Sequence, residues 1–232
     1  MEKLISLLVE SGIPPNEVLT PTESSISVEV DADDDGRTDL ASHQQEIIYD
    51  AEGDIALIVG QGQTHKFQLS SKLLALTSAI WKDLIASVKE AGLSTIYLPN
   101  DDPVAMTLLL QIVHLQFTVL PQYITFQELY SIARLSQKYQ VYKLFLPFAW
   151  RWTEPFIRED LDPEQTEWIL ISWEFCIEYI FKQWLNHLSL NAKKDEDGCT
   201  VYRDQKLTEL LPDACRDIYS KSVAELCFCW HT

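Results

Sequence analysis

The residues with the greatest capacity for chemistry in this 232-residue chain are five cysteines and five histidines. Their tightest grouping is Cys227-x-Cys229-x-His231, which places three soft metal ligands near one another in the sequence. A structural zinc site needs four ligands, and paired ligands are usually separated by two to four residues. Cys199 or Cys215 would have to supply the fourth ligand from elsewhere in the fold. We predict reduced, packed thiols and no metal, with a metal-stabilised C-terminal structure as the alternative.

An acidic run, Asp31-x-Asp33-x-Asp35-Gly36-x-x-Asp39, imitates the beginning of a calcium-binding loop. Such a loop needs a bidentate glutamate at its twelfth position, because calcium takes six to eight oxygen ligands. The twelfth position here is Ser42, and the eighth, where an aliphatic residue is expected, is Thr38. We therefore predict an acidic tail that binds no calcium.

Nucleophilic catalysis requires a serine or cysteine beside a base that a third group holds in place. The histidines are scattered, and none belongs to a recognisable triad motif: His43, His65, His114, His187 and His231. Neither a G-x-S-x-G motif nor a phosphate-binding G-x-x-x-x-G-K motif is present. Gly60-x-Gly62 is predicted to be a hairpin turn, because no helix with a third glycine follows it. We predict a protein without enzymatic activity, cofactor or small-molecule substrate.

The formal net charge is −17, and it is concentrated near the start of the chain. Residues 1–50 contain twelve acidic and two basic residues, a balance of −10. We predict that residues 1–52 form an acidic, disordered leader. This charge would repel phosphate backbones and anionic membrane surfaces, so we expect no nucleic-acid or membrane partner.

The first ten residues hold a short apolar run with acids at both ends, which does not suit a signal peptide. No stretch approaches the ~20 apolar residues that a membrane-crossing helix needs. We expect an intracellular protein, either cytoplasmic or nuclear.

Hydrophobic periodicity predicts an α+β domain that begins at Asp54. A strand hairpin is followed by two short helices, a third strand and further helices: strands over 55–59, 65–69 and 95–98, and helices over 103–114, 125–139, 141–153 and 163–187. Ser70 and Ser71 are predicted to cap the first short helix and Ser78 the second. Thr125 and Glu128 are predicted to form a capping box at the start of the 125–139 helix. Residues 189–203 are predicted to be a polar loop, followed by one or two short helices that Pro212 interrupts.

Five segments in this order resemble the BTB/POZ family, and its fungal branch most closely. They are Gly53-Asp-Ile-Ala-Leu-Ile-Val59, Phe67-x-Leu-Ser-Ser-Lys-Leu-Leu74 with Ser78-x-x-Trp81-x-x-Leu84, Ile96-Tyr-Leu-Pro-Asn-Asp-Asp-Pro-Val-Ala-Met106, Glu128-Leu-x-x-Ile-Ala-x-Leu-x-x-Lys-Tyr139 and Trp168-x-x-Ile-Ser-Trp173. Two positions depart from the family pattern, because Ser71 stands where histidine is usual and Ala79 where proline is usual.

The resemblance implies a BTB/POZ fold, a small β-sheet with a helical cluster, over residues 53–153, and a helical C-terminal extension over residues 154–232. It also implies a non-enzymatic protein that associates with itself or with other proteins. Some family members are substrate adaptors of cullin ubiquitin ligases, which is an alternative function for this chain. The cullin-binding face would then use Leu115, Gln116 and Phe117.

Two of the seven tryptophans, Trp150 and Trp152, are predicted to lie on one helix. Residues two apart on an α-helix point about 200° away from each other, so both cannot face inward. One of them therefore lies at an interface. Packing against the 163–187 helix is the first interpretation, and a partner-binding patch is the alternative, because tryptophan is enriched in binding hot spots.

Overall fold

The computed structural model describes residues 45–61, 64–157, 162 and 164–211. The chain divides into two compact units, residues 1–103 and residues 104–232. Strands and helices both contribute to the fold, which is α+β as the sequence predicts. Within the described part of the chain, no helix is long and apolar enough to cross a membrane.

The first unit contains a four-stranded sheet in the order β1–β3–β2–β4. Its strands are β1 (Gln45–Ile48), β2 (Ile55–Val59), β3 (His65–Leu69) and β4 (Thr95–Leu98). Strands β2 and β3 are antiparallel, with Ile55 opposite Leu69, which confirms the predicted hairpin. Strand β1 runs parallel to β3, and β4 runs parallel to β2.

Strand β1 lies inside the segment whose composition predicts disorder, so that prediction is wrong for residues 45–48. Most of its side chains are exposed, and no buried apolar face announces it in the sequence. The Gln45 amide donates to the Thr64 carbonyl at 3.2 Å, and Lys66 forms an ion pair with Glu46 at 2.9 Å. Pairing with β3, rather than local hydrophobicity, therefore produces this strand.

One face of the sheet forms the core of the first unit. Its side chains alternate along three strands, as the pleat requires, and are all buried and apolar: Ile55, Leu57, Val59, Phe67, Leu69, Ile96 and Leu98. The alternate residues of β2, Ala56 and Ile58, are only half-buried. The second face of β2 is apolar as well, but it is less buried than the face on the core.

The two short helices are α1 (Ser71–Ala75) and α2 (Ala79–Glu90). The Ser78 hydroxyl accepts a 3.2 Å hydrogen bond from the Trp81 amide, which confirms the predicted cap of α2. At the start of α1, Ser70 occupies the cap position but its side chain makes no cap hydrogen bond, so that prediction is wrong. The hydrogen bond that a capping side chain would accept at the start of α1 goes instead to an acidic residue from an earlier part of the chain.

Asp54 is that acid, and it lies immediately before β2. Its carboxylate accepts hydrogen bonds from the amide and the hydroxyl of Ser71, both at 2.8 Å. Lys89 of α2 donates to the same carboxylate at 2.7 Å and to the Ser71 hydroxyl at 2.6 Å. The Lys89 ammonium and then the Ser71 amide hold the pKa of Asp54 well below its usual range. This network joins β2, α1 and α2.

The second unit is built mainly from helices. They are α3 (Pro103–Val113), a single 3₁₀ turn (Phe117–Val119), α4 (Phe126–Tyr139), α5 (Tyr142–Ile157), α6 (Trp168–Glu174) and α7 (Glu178–Asn191). The predicted capping box of α4 is confirmed: the Thr125 amide donates to the Glu128 carboxylate at 2.7 Å, and the Glu128 amide donates to the Thr125 hydroxyl at 3.2 Å. Helix α5 continues past residue 153, where the sequence predicts the domain boundary.

The prediction of one long helix over residues 163–187 is wrong. The chain forms two helices, α6 and α7, separated by a turn at Phe175–Ile177. Cys176 adopts a left-handed backbone with φ of 56°, and the Ile177 amide donates back to the Ser172 carbonyl at 2.8 Å. These are the features of a Schellman motif, which ends a helix. The turn changes the direction of the chain and creates a wall of the surface described below.

Residues 193–206 form a small three-stranded sheet, so the prediction of a polar loop over 189–203 is also wrong. Its strands are β5 (Lys193–Lys194), β6 (Thr200–Tyr202) and β7 (Gln205–Lys206), and the helix α8 (Leu207–Leu210) follows. The predicted leader up to residue 44 and the predicted interruption at Pro212 lie outside the described residues.

We predict that the Asp54 network contributes fully to stability above the ordinary pKa of an aspartate and loses its effect only in stronger acid. The pKa of Asp54 is lower in the folded state than its ordinary value of 3.8. Its contribution is therefore present above the unfolded pKa and is lost as pH falls through the folded pKa. Asp54→Asn should lower the melting temperature near pH 7 and should matter less as the pH approaches about 2.

Thermal melts across this pH range, followed by circular dichroism, check the prediction. Glu90→Gln is a matched control, because Glu90 is an exposed acid at the end of the same helical pair. An Asp54→Asn deficit that is equal at every pH would contradict it.

Candidate protein-interaction surface

A groove of about 460 Å³ lies on the second unit. One wall is α5, and the other consists of the α6–α7 turn and the first residues of α7. The lining residues are Leu146, Ala149, Trp150, Thr153, Phe175, Cys176, Ile177, Glu178, Tyr179 and Lys182. The residues from α5 recur at helical spacing and so share one face. We call this surface the Trp150 groove.

Large side chains are exposed along the rim of the Trp150 groove. Trp150 is 62% exposed, Tyr179 is 46% exposed, and Leu146 is also partly exposed. The floor is closed by Ala149 and Thr153, which are buried. Aromatic rings of this kind offer large apolar area together with a hydrogen-bonding tip, a combination that favours protein interfaces.

The charged residues of the groove largely neutralise each other. Glu178 and Lys182 lie one turn apart on α7 and form an ion pair, with both side chains about half exposed. An exposed pair of this kind contributes at most about 1 kcal/mol, because solvent screens it. The groove is therefore apolar at its centre and close to neutral at its rim.

Trp152, which the sequence groups with Trp150 as a partner-binding residue, is buried. Its side chain is 1% exposed, and its indole N–H donates to the Pro121 carbonyl at 3.0 Å. It also stacks on Phe148, with ring centroids 5.6 Å apart. Trp152 therefore belongs to the core of the second unit, and of the two residues only Trp150 is available to a partner in this structure.

The other predicted contact residues lie in and beside the 3₁₀ turn. Leu115 is 73% exposed with a left-handed backbone, and Phe117 is 48% exposed. Phe117 stacks on Phe148 with centroids 6.0 Å apart, while Gln116 is half-buried. Val119 is exposed on the same turn, and the sequence did not single it out. This exposed apolar turn is a second candidate contact surface.

Two chemically distinctive groups beside the Trp150 groove were not predicted. Glu174, the last residue of α6, has a buried carboxyl that accepts a 2.6 Å hydrogen bond from the Ser136 hydroxyl. Burial raises the pKa of this carboxyl. Cys176 follows at the surface; partial burial of its thiol, and then the charge of Glu174, raise its pKa. A thiol in this setting is less reactive, since the thiolate is the nucleophile.

Metal chemistry has no site in the part of the chain that the structure describes, where no group of three or more His, Cys, Asp and Glu residues could hold an ion. Cys215, Cys227, Cys229 and His231 lie outside the described residues, as does the acidic run that imitates a calcium loop. His187 lies within them, and its Nε2 is 2.9 Å from the Tyr202 hydroxyl. The metal-stabilised alternative stays a prediction.

Comparisons with known proteins do not identify a family. No protein-family model matches the chain. No curated protein matches it either. The residues and their geometry therefore carry the functional inference.

We predict opposite consequences for truncation of the two tryptophans on α5. Trp152→Ala should lower the free energy of unfolding by about 3–5 kcal/mol, because it leaves a core cavity and an unpaired Pro121 carbonyl. Trp150→Ala should change it by about 0.5 kcal/mol or less, because most of that side chain is already in water. Urea denaturation of both variants checks this. Similar losses for the two would contradict the assignment of Trp150 to the surface.

Proposed function

We propose that the chain is a non-enzymatic protein-interaction module with a BTB/POZ-type core, and that the Trp150 groove is a surface on which it binds a protein partner. The observation that carries the proposal is the exposure of Trp150 beside Tyr179 in a concave apolar surface. Exposed aromatic residues that border an apolar groove are of the residue types that dominate binding hot spots.

The order of elements in the described residues supports the BTB/POZ-type core. A β-hairpin, two short helices, a strand parallel to the first hairpin strand and a series of helices follow one another. The segments that resemble the family occur in the same order. Ser71 stands where the family usually has histidine. It takes part in the network with Asp54 and Lys89, so hydrogen bonds accommodate this difference.

The size of the groove indicates the kind of contact that it makes. A volume of about 460 Å³ accommodates a few side chains of a partner, such as one face of a helix, and not a folded domain. A stable interface buries about 1,200–2,000 Å² in total, so the surrounding surface of α5 and α7 must take part. The groove would then be the centre of a larger interface.

The partner that we propose first is a second copy of the chain, and we predict that this self-association depends on Trp150. Light scattering at concentrations up to about 100 μM should show a species larger than the monomer. Trp150→Ala should weaken that association about thirtyfold or more, the effect of a hot-spot residue. Ser189→Ala, at an exposed position of α7 outside the groove, is the control.

A strict monomer at every concentration would contradict self-association. Undiminished association of Trp150→Ala would contradict the location of the interface in the groove.

A second function, that of a cullin ubiquitin-ligase adaptor, is favoured by the exposed apolar turn at Leu115, Phe117 and Val119. It predicts binding to a purified cullin, measured by calorimetry. Phe117→Ala should weaken this binding about tenfold or more, and Trp150→Ala should not. Absence of binding at about 10 μM would contradict the adaptor function without affecting the first proposal.

A further inference from the structure

Glu174 is buried in an unusual way for a glutamate. Its side chain is 8% exposed and lies at the C-terminal end of α6. Its hydrogen-bond partner Ser136 is fully buried in the last turn of α4. Buried carboxylates normally have a cation or several N–H donors beside them. Within the described residues, Glu174 has the one hydroxyl donor and forms no ion pair.

The helices packed against α6 bring no compensating charge to this carboxyl within the described ranges. On α4, the two basic side chains of the C-terminal half lie over tyrosine rings, Arg134 over Tyr130 and Lys138 over Tyr139. The acid of α4, Glu128, is held in the capping box at the opposite end of that helix. On α7, Lys182 is paired with Glu178. The Cys176 thiol is a titratable neighbour of Glu174, and the charge of Glu174 contributes to the raised pKa of that thiol.

The ends of two helices meet at this carboxyl. Ser136 and Glu174 both lie in C-terminal turns, where the unpaired carbonyl groups of a helix concentrate partial negative charge. A carboxylate at such a place is disfavoured, whereas a neutral carboxyl is tolerated and still accepts the hydrogen bond from the hydroxyl. Burial raises the pKa of Glu174 above its ordinary value of 4.5, and the hydrogen bond from Ser136, which favours the ionised form, lowers it by a smaller amount.

The position of Glu174 connects it to the Trp150 groove. Phe175, Cys176 and Ile177 follow it directly and form one wall of the groove. Ser136 lies just before the α4–α5 connection, and its carbonyl accepts from the Val141 amide at 3.0 Å. The hydrogen bond between the two side chains therefore ties the groove wall to the end of α4.

We propose that the buried Glu174 carboxyl, seated against Ser136, is a proton-operated clamp on the α6–α7 turn, which holds the wall of the Trp150 groove when Glu174 is protonated and loosens it when ionisation makes burial of the carboxyl costly. The significance of the clamp for partner binding rests on the proposed function of the groove. The pH-dependent loosening of the turn does not depend on that function, and it is measured on the protein without a partner.

The sign of the pH dependence follows from linkage. Since the folded pKa exceeds the unfolded value of 4.5, the folded state holds more protons between the two. The clamp is at full strength below the unfolded pKa and weakens as pH rises through the folded pKa. Each unit by which the folded pKa exceeds the unfolded one corresponds to an about tenfold weaker clamp at high pH.

Hydrogen exchange of the amides of residues 175–178 in the full chain, corrected for intrinsic exchange rates, tests this. The protection of these amides should fall by about threefold to tenfold between about pH 5 and about pH 8 in the wild type. Glu174→Gln keeps an acceptor for Ser136 but cannot ionise, so its protection should change less than about twofold. Ser136→Ala removes the donor, so its protection should be lower at every pH.

Amides in the middle of α7, such as those of Leu185 and Leu188, serve as the internal control and should keep their protection. A pH dependence at residues 175–178 that is the same in Glu174→Gln as in the wild type would overturn the clamp. A clamp confirmed in this way together with undiminished association of Trp150→Ala would leave the turn pH-sensitive but remove the groove's proposed function.

Discussion

The left-handed backbone of Cys176 turns the chain between α6 and α7, and the surface of the second unit follows from that turn. A residue other than glycine in this conformation costs about 1 kcal/mol. The cost is offset by the Schellman hydrogen bonds, from the Cys176 amide to Trp173 and from the Ile177 amide to Ser172. Burial of Phe175 and Ile177 on either side adds apolar contact, so the turn is held by packing as well as by hydrogen bonds.

The sequence of α6 and α7 carries two apolar stripes at helical spacing, one that includes Trp168 and Ile171 and another that includes Ile180 and Trp184. The turn explains how both stripes are buried. A single straight helix over residues 163–187 would present them to different sides and would leave one in water. With the turn, α6 packs on α4 and α7 packs on α6, so that Trp168 and Trp184, one from each stripe, are both buried. The junction then leaves a concavity against α5, because α5 directs Trp152 inward and Trp150 outward. The groove is thus a consequence of packing and not an accessory feature.

Features that local patterns encode were predictable, and features that depend on distant partners were not. The β2–β3 hairpin follows from alternation, and the start of α4 follows from Thr125 and Glu128, since both signals lie within a few residues. Strand β1 has no buried face and needs β3, while the cap of α1 comes from Asp54, well before it in the chain. The end of α6 carries no glycine or proline, and its stability comes from burial that neighbouring helices supply. The burial of Glu174 contradicts the usual exposure of glutamate and has no local signal.

The charges of the chain and the chemistry of the groove would act in opposite directions on the self-association proposed above. A net charge of −17 on each copy opposes the approach of a second copy, and salt reduces that repulsion because the screening length is about 8 Å at physiological ionic strength. The groove itself offers apolar area and a self-neutralised ion pair, so the attraction that it provides changes little with salt. Salt would therefore strengthen self-association through the groove. A basic partner would show the reverse dependence, because its attraction to the acidic chain is screened in the same way. The salt dependence thus separates a second copy from a cationic partner, although both would use Trp150.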